Sequence, residues 1–218
     1  RGGVLAARNL AHPLLRHGGN RWTGYNWENN ASHAGIDWFN ISDWGMLFGK
    51  GLPQNGSQQP ATIIVLDYQA DTAASAKGLV TLQVAGYVAA DGAGTVLAGE
   101  TAPSARWKQV VNVKGSAFTL NPVRTDGFVY MDEEMNFLTT VLGNAASGGI
   151  PYYSLDNEPG LWDDTHPRLH PALATYAEVA SRGTSLASVI TAADPGAKVF
   201  GPVGWSYYDH QTLSDAPD

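Results

Sequence analysis

The chain has 218 residues, of which 15% are charged, with 25 glycines, 12 prolines and a net charge of −7. That length can bury one substantial core, and an acidic balance without any run of basic residues argues against nucleic acid or anionic membrane as a partner. Cysteine is absent, which rules out disulfides and cysteine-bound metals, and no apolar stretch nears the roughly 20 residues of a membrane-spanning helix.

The chain opens on Arg1 instead of Met, which reads as the removal of an earlier segment. Residues 4–11 are expected to be a short helix stopped by Pro13, followed by a strand over 14–17 that runs into Gly18-Gly19-Asn20. From 21 to about 60 the expectation is one long aromatic loop carrying Trp22, Trp27, Trp38 and Trp44. Apolar residues at 63, 66, 70, 73 and 74 predict a helix over 62–76. Residues 79–88, apolar and β-branched between Gly78 and the turn Asp91-Gly92, predict a buried strand. The Gly-, Pro- and Ser-rich stretch 92–127 is expected to hold a small hairpin around 110–113.

A helix is predicted over 128–142, with Met131, Met135, Leu138, Val141 and Leu142 on its apolar face, acids in its first turn and Gly143 as its stop. A strand over 151–155, a helix over 173–193 and a strand over 198–203 complete the order. Helices alternating with short apolar strands point to an α/β fold around a parallel sheet. Acidic and aromatic loops after the strands suit a (β/α)8 barrel, whose sites lie on those loops. A doubly wound sheet fits less well, because no G-x-G-x-x-G follows any strand.

Just past the 151–155 strand stands Asn157-Glu158-Pro159. Cleaving a glycosidic bond needs a carboxylic acid to protonate the leaving oxygen and a polar neighbour for the sugar 2-hydroxyl, and Glu158 with Asn157 supplies both. The plainer reading is an acid opening a turn or helix. Trp162, Trp205 and Tyr208 on strand-end loops favour the first reading, as do Asn26 and Trp27 on the loop after 14–17, because flat rings stack on sugar faces.

A resemblance extends this reading. Residues 20–32 (NRWTGYNWENNAS), 84–91 (VAGYVAAD), 129–133 (VYMDE), 154–159 (SLDNEP) and 201–203 (GPV) resemble glycoside hydrolase family 44, in order and over nearly the whole chain. Members are secreted bacterial endo-β-1,4-glucanases, often active on xyloglucan. The resemblance implies a retaining enzyme built on a TIM-like barrel with an accessory β-sandwich, in which Glu158 is the general acid/base. It also implies that residues 1–218 are one part of the catalytic domain, from about the first helix to the fifth strand, with the nucleophilic Glu and the remaining barrel lying outside. The expected partners are a β-glucan polysaccharide and the remaining part of the same enzyme, in the same or a separate chain; the chain alone is expected to be incomplete and poorly stable.

No cofactor is required by this chemistry. Asp163 and Asp164, or the His166/His170 pair, leave room for a structural calcium or zinc, although the histidines read better as fixing the loop. Glu28 reads as a structural ion-pair partner, and Glu178 as a solvent-facing helix residue. The competing class is a carbohydrate-binding protein that uses the same aromatic loops without cleaving anything.

Overall fold

The computed structural model of the chain describes residues 13–213, so the helix expected at 4–11 lies outside the described residues. The first strand, β1 (Leu14–His17), leads into a one-turn helix, α1 (Asn20–Thr23). The long aromatic loop expected next is instead folded into β2 (Ser32–His33), β3 (Ile41–Asp43) and a short helix, α2 (Gly45–Gly49). Strands of two or three residues are too short for alternation to reveal them in sequence. The turn between them relies on Gly35 at φ 68°, a left-handed conformation that glycine adopts without strain.

Helix α3 (Thr62–Ala73) buries Ile63 and Ile64 together with two acids, Asp67 and Asp71. Those carboxylates can be buried because they are paired. His17 of β1 sits between them, with Nδ1 3.3 Å from Asp67 and Nε2 2.6 Å from Asp71, and Lys50 also pairs with Asp67. Burial opposes the charge on His17, but the two carboxylates outweigh it and lift the imidazole to about 9.

Strand β4 (Lys77–Leu82) is shorter than the strand expected over 79–88. The chain leaves the sheet after Leu82 and re-forms as β5 (Tyr87–Ala89), which starts a second sheet. A two-residue strand, β6 (Gly94–Thr95), follows, and then β7 (Trp107–Val111) pairs antiparallel with β5. The hairpin expected at 110–113 is therefore not formed. Residues 128–130, expected to open a helix, are strand β8 (Phe128–Tyr130), parallel to β7, and the helix α4 (Met131–Leu142) begins after them.

Strand β9 (Tyr152–Leu155), the one-turn helix α5 (Trp162–Thr165), the long helix α6 (Tyr176–Ala193) and β10 (Lys198–Phe200) complete the described chain. Helix α6 starts later than sequence spacing suggests because Thr175 caps it, its side chain accepting from the Glu178 amide. The fold is α/β. Strands β1, β4, β9 and β10 form one parallel sheet in that order, and the smaller sheets β2–β3–β6 and β5–β7–β8 flank it. In a parallel sheet all strand carboxyl ends point one way, so the segments after β1, β4 and β9 converge at one edge.

Three buried titratable groups give stability a pH dependence. Glu134 on α4 is fully buried and neither of its carboxylate oxygens has a hydrogen-bond partner. Burial, reinforced by nearby Glu28, pushes its carboxyl up to about 8. An acid with a raised folded pKa favours unfolding as pH rises from its unfolded value near 4.5 to the folded one. His33 and His166 act oppositely: burial lowers them to about 3 and about 4, so they favour unfolding as pH falls below their unfolded value of 6.5. Glu134→Gln is therefore expected to stabilise the chain at pH 8 by about 1–3 kcal/mol and to change little at pH 5. Denaturant melts of both proteins at the two pH values check this, and an equal effect at both would show that Glu134 is not held neutral.

Candidate active site

The segment after β9 is strained and then pinned. Asp156 has φ 69° and Glu158 φ 48°, left-handed conformations that cost a residue with a Cβ energy, so the surroundings must hold them. The backbone is held from both sides: the Asp156 amide donates to the Leu82 carbonyl at 2.9 Å, and the Glu158 amide to the Val203 carbonyl at 2.7 Å. Pro159 then starts a single 3-10 turn over Pro159–Leu161. The residues on either side of Glu158 are buried, whereas Glu158 itself is half-buried and presents its carboxylate at the edge of the sheet.

Asp156 is the buried anchor of this turn. Its Oδ1 accepts from Thr23 Oγ1 at 2.7 Å and the Asn157 amide at 2.8 Å; its Oδ2 accepts from the amides of Val84 at 2.6 Å and Ala85 at 3.0 Å. One carboxylate thus joins the ends of β4 and β9 to α1. Burial pushes this carboxyl up, and the four donors pull it back. The same need for two free amides explains why β4 stops at Leu82.

Asn157 carries the geometry outward. Its Nδ2 donates to Glu158 Oε2 at 3.0 Å, its Oδ1 accepts from Arg16 Nη2 at 2.5 Å, and its carbonyl accepts from Trp162 Nε1 at 2.9 Å. Arg16 reaches over Gly18, where a Cβ would come within 2.7 Å of the guanidinium. The cation within Coulomb range of Asp156 and Glu158 is therefore Arg16 on β1. Arg21 instead bonds Asp43 and Ser32.

Several residues expected to bind sugar lie elsewhere. Trp27 has no exposed surface and packs against Phe137 at 5.7 Å between ring centroids, so it is a core residue with no free face. Asn26, equally buried, donates to the Ala89 carbonyl and accepts from the Glu28 amide. Trp162 is buried against His170 and works through its indole N–H on Asn157, so it supports the site instead of stacking on a ligand. Aromatic content marks these loops, but their burial follows from how the glycine-rich chain folds back.

Trp205 and Tyr208 are exposed. With Leu161, Asp163 and Asp164 they line a pocket of about 450 Å3 that begins two residues beyond Glu158. Asp209 ties its walls together: it accepts from the Trp205 amide at 2.9 Å, and Cβ atoms at Gly160 and Gly204 would come within 2.9 and 2.8 Å of its carboxylate. Glu28 forms a buried pair with Lys108. His170 bonds the Ala172 carbonyl and Glu178, while His166 faces His33 at 5.8 Å, so the two do not converge on a common point. Among the described residues no group of three or more His, Asp and Glu side chains is arranged to hold a metal ion. Glu178 is only partly exposed and carries two partners, His170 and Arg182. Sequence reasoning also passed over Arg16 and Asp156. Asp156 had a usable signal, a carboxylate directly preceding the motif at a strand end.

Residues 31–218 match the model of glycoside hydrolase family 44. Endoglucanase A of Paenibacillus lautus is 46% identical over 203 residues, which make up 93% of this chain and 29% of that protein. A β-mannanase/endoglucanase A of Caldicellulosiruptor saccharolyticus is 45% identical over 210 residues, 96% of this chain and 16% of that protein. The chain thus spans less than a third of either relative. Among solved structures, a family 44 endoglucanase from Clostridium thermocellum superposes with a TM-score of 0.91 at 45% identity, covering 94% of this chain and 41% of that one. A Paenibacillus polymyxa xyloglucanase of the family, solved with xyloglucan, gives 0.90 at 46% identity over 93% of this chain and 40% of its own.

Proposed function

This chain belongs to glycoside hydrolase family 44, and from that premise we propose that it is the acid/base portion of a retaining endo-β-1,4-glucanase acting on cellulose- or xyloglucan-type chains. The observation that carries the reading is Glu158: a half-buried carboxylate at the end of a buried strand, oriented by the Asn157 amide at 3.0 Å.

In the first step Glu158 gives its proton to the glycosidic oxygen as the bond to the anomeric carbon breaks. A second carboxylate about 5–5.5 Å away takes that carbon as an ester. Glu158, now a carboxylate, removes a proton from the water that hydrolyses the ester and is reprotonated. The Asn157 amide nitrogen has two N–H groups; one orients Glu158 and the other is suited to the sugar 2-hydroxyl. We assign the nucleophile, the remaining strands of a (β/α)8 barrel and an accessory β-sandwich to polypeptide outside residues 1–218, in the same or a separate chain. The greater length of the relatives supports this. The exposed Trp205 and Tyr208 are the stacking surfaces in this scheme. Two carboxylates suffice for the chemistry without a cofactor, and a polymeric substrate places the enzyme outside the cell.

The test is hydrolysis of soluble cellulose derivatives and xyloglucan by the full-length protein, with the anomeric form of the first product read by NMR. Retained configuration, lost with Glu158→Gln, supports the reading. Binding without cleavage would leave a carbohydrate-binding role in its place.

A further inference from the structure

Glu178 sits on α6, away from the Asn157–Glu158 turn, yet its Oε1 is where two separate paths to that turn meet. One path runs through Arg182, whose Nη2 lies 2.8 Å from Glu178 Oε1. Arg182 Nη1 donates to the carbonyls of Ala85 at 2.9 Å and Val84 at 3.4 Å. The Val84 carbonyl and the Ala85 N–H belong to one peptide group, and that N–H donates to Asp156 Oδ2 at 3.0 Å. A donor on the carbonyl polarises the peptide and strengthens its N–H, so the arginine reinforces the anchor of the turn. Gly86 leaves the room: a Cβ there would meet Arg182 Nη1 at 2.9 Å.

The other path runs through His170, whose Nε2 lies 3.0 Å from the same Glu178 oxygen. The His170 ring packs on Trp162 at 5.1 Å, and the Trp162 indole N–H holds the Asn157 carbonyl at 2.9 Å. Asp156 and Asn157 are adjacent, so the two paths close a ring: Glu178, Arg182, the 84–85 peptide, Asp156, Asn157, Trp162, His170 and back to Glu178.

We infer that Glu178 is a positioning residue for the acid Glu158, gripping the turn before it from both sides through Arg182 and His170. The inference rests on the reading of Glu158 as general acid. It accounts for what holds a turn with two left-handed, non-glycine residues in place. It also gives a reason for a carboxylate on α6 that touches no part of the substrate pocket.

The test separates positioning of the acid from general damage by comparing two leaving groups in the full-length protein. A β-1,4-glucan needs its leaving oxygen protonated; an oligoglucoside of 2,4-dinitrophenol does not. Glu178→Ala is expected to lower kcat/KM on glucan about tenfold, through kcat, because small misplacement of a catalytic group is costly. On the dinitrophenyl substrate kcat/KM, which reports bond breaking and not the later hydrolysis of the ester that Glu158 assists as a base, should stay within about twofold, since that first step needs no proton. Glu178→Gln keeps an acceptor oxygen and should recover most of the loss. Arg182→Met should act in the same direction, and adding it to Glu178→Ala should cost less than the two changes summed. Equal losses on both substrates, or no loss on either, would overturn the inference. If Glu158→Gln itself fails to discriminate between the leaving groups, the acid assignment falls first. If it discriminates and Glu178→Ala does not, only the role of Glu178 falls.

Discussion

Glu158→Gln in the full-length protein is expected to lower kcat/KM on unactivated β-1,4-glucan by about 10²–10⁴-fold, the range that general acid catalysis contributes. Glutamine keeps the shape of the side chain and pays the same left-handed backbone cost at φ 48°. Neither the backbone bond to Val203 nor the partner position beside Asn157 is removed by the change. Stability should therefore move by no more than about 0.5 kcal/mol, and the loss should lie in chemistry instead of folding. Steady-state kinetics and thermal melts on one preparation settle the point. A parallel fall in melting temperature would mean that Glu158 holds the loop together and that its catalytic assignment is unsupported.

Asp156→Asn should have the larger effect on the fold. The carboxylate offers two oxygens to four donors, and a carboxamide offers one oxygen and a donor of its own. Whichever way the amide turns, its NH2 faces either the two amides of Val84 and Ala85 or the Thr23 hydroxyl and Asn157 amide. Buried donors left facing a donor cost about 1–3 kcal/mol each, so a destabilisation of about 2–4 kcal/mol is expected. Denaturant unfolding measures it. A change below about 1 kcal/mol, smaller than a single unsatisfied buried donor, would mean that water or rearrangement replaces the anchor.

What could be read from sequence was local. The Asn157-Glu158-Pro159 turn stands out because proline and a strand end mark it, and the second half of α4 because its apolar residues recur with helical spacing. The strand β8 was hidden inside that same pattern: residues 128–130 continue the apolar stretch, and only pairing with β7 makes them a strand. Trp27, Asn26 and Trp162 were misplaced for a related reason. A tryptophan in a polar loop looks available for stacking, but whether a ring face is open depends on what folds over it, here Phe137 and His170. Arg16 and Glu178 gave no local sign at all. Their roles exist only across contacts such as Arg16 to Asn157, 141 residues apart.

The order of the parallel sheet bears on how quickly such a site can come into being. Leu14 pairs with Lys77, Leu79 with Tyr152 and Tyr152 with Lys198, so no two neighbouring strands are joined by a tight turn. The contact from Thr23 to Asp156 closes a separation of 133 residues. Each pairing must overcome the entropy of a long loop before it gains anything in return, which makes non-local parallel sheets slow to form. Refolding should therefore lag well behind the appearance of helix, with α4 and α6 recovering their circular dichroism before the indole of Trp162 reports burial. Stopped-flow traces in which both signals rise together, within milliseconds, would contradict this order. Until Asp156 meets its four donors there is no fixed position for Glu158, so activity belongs to the last phase of folding.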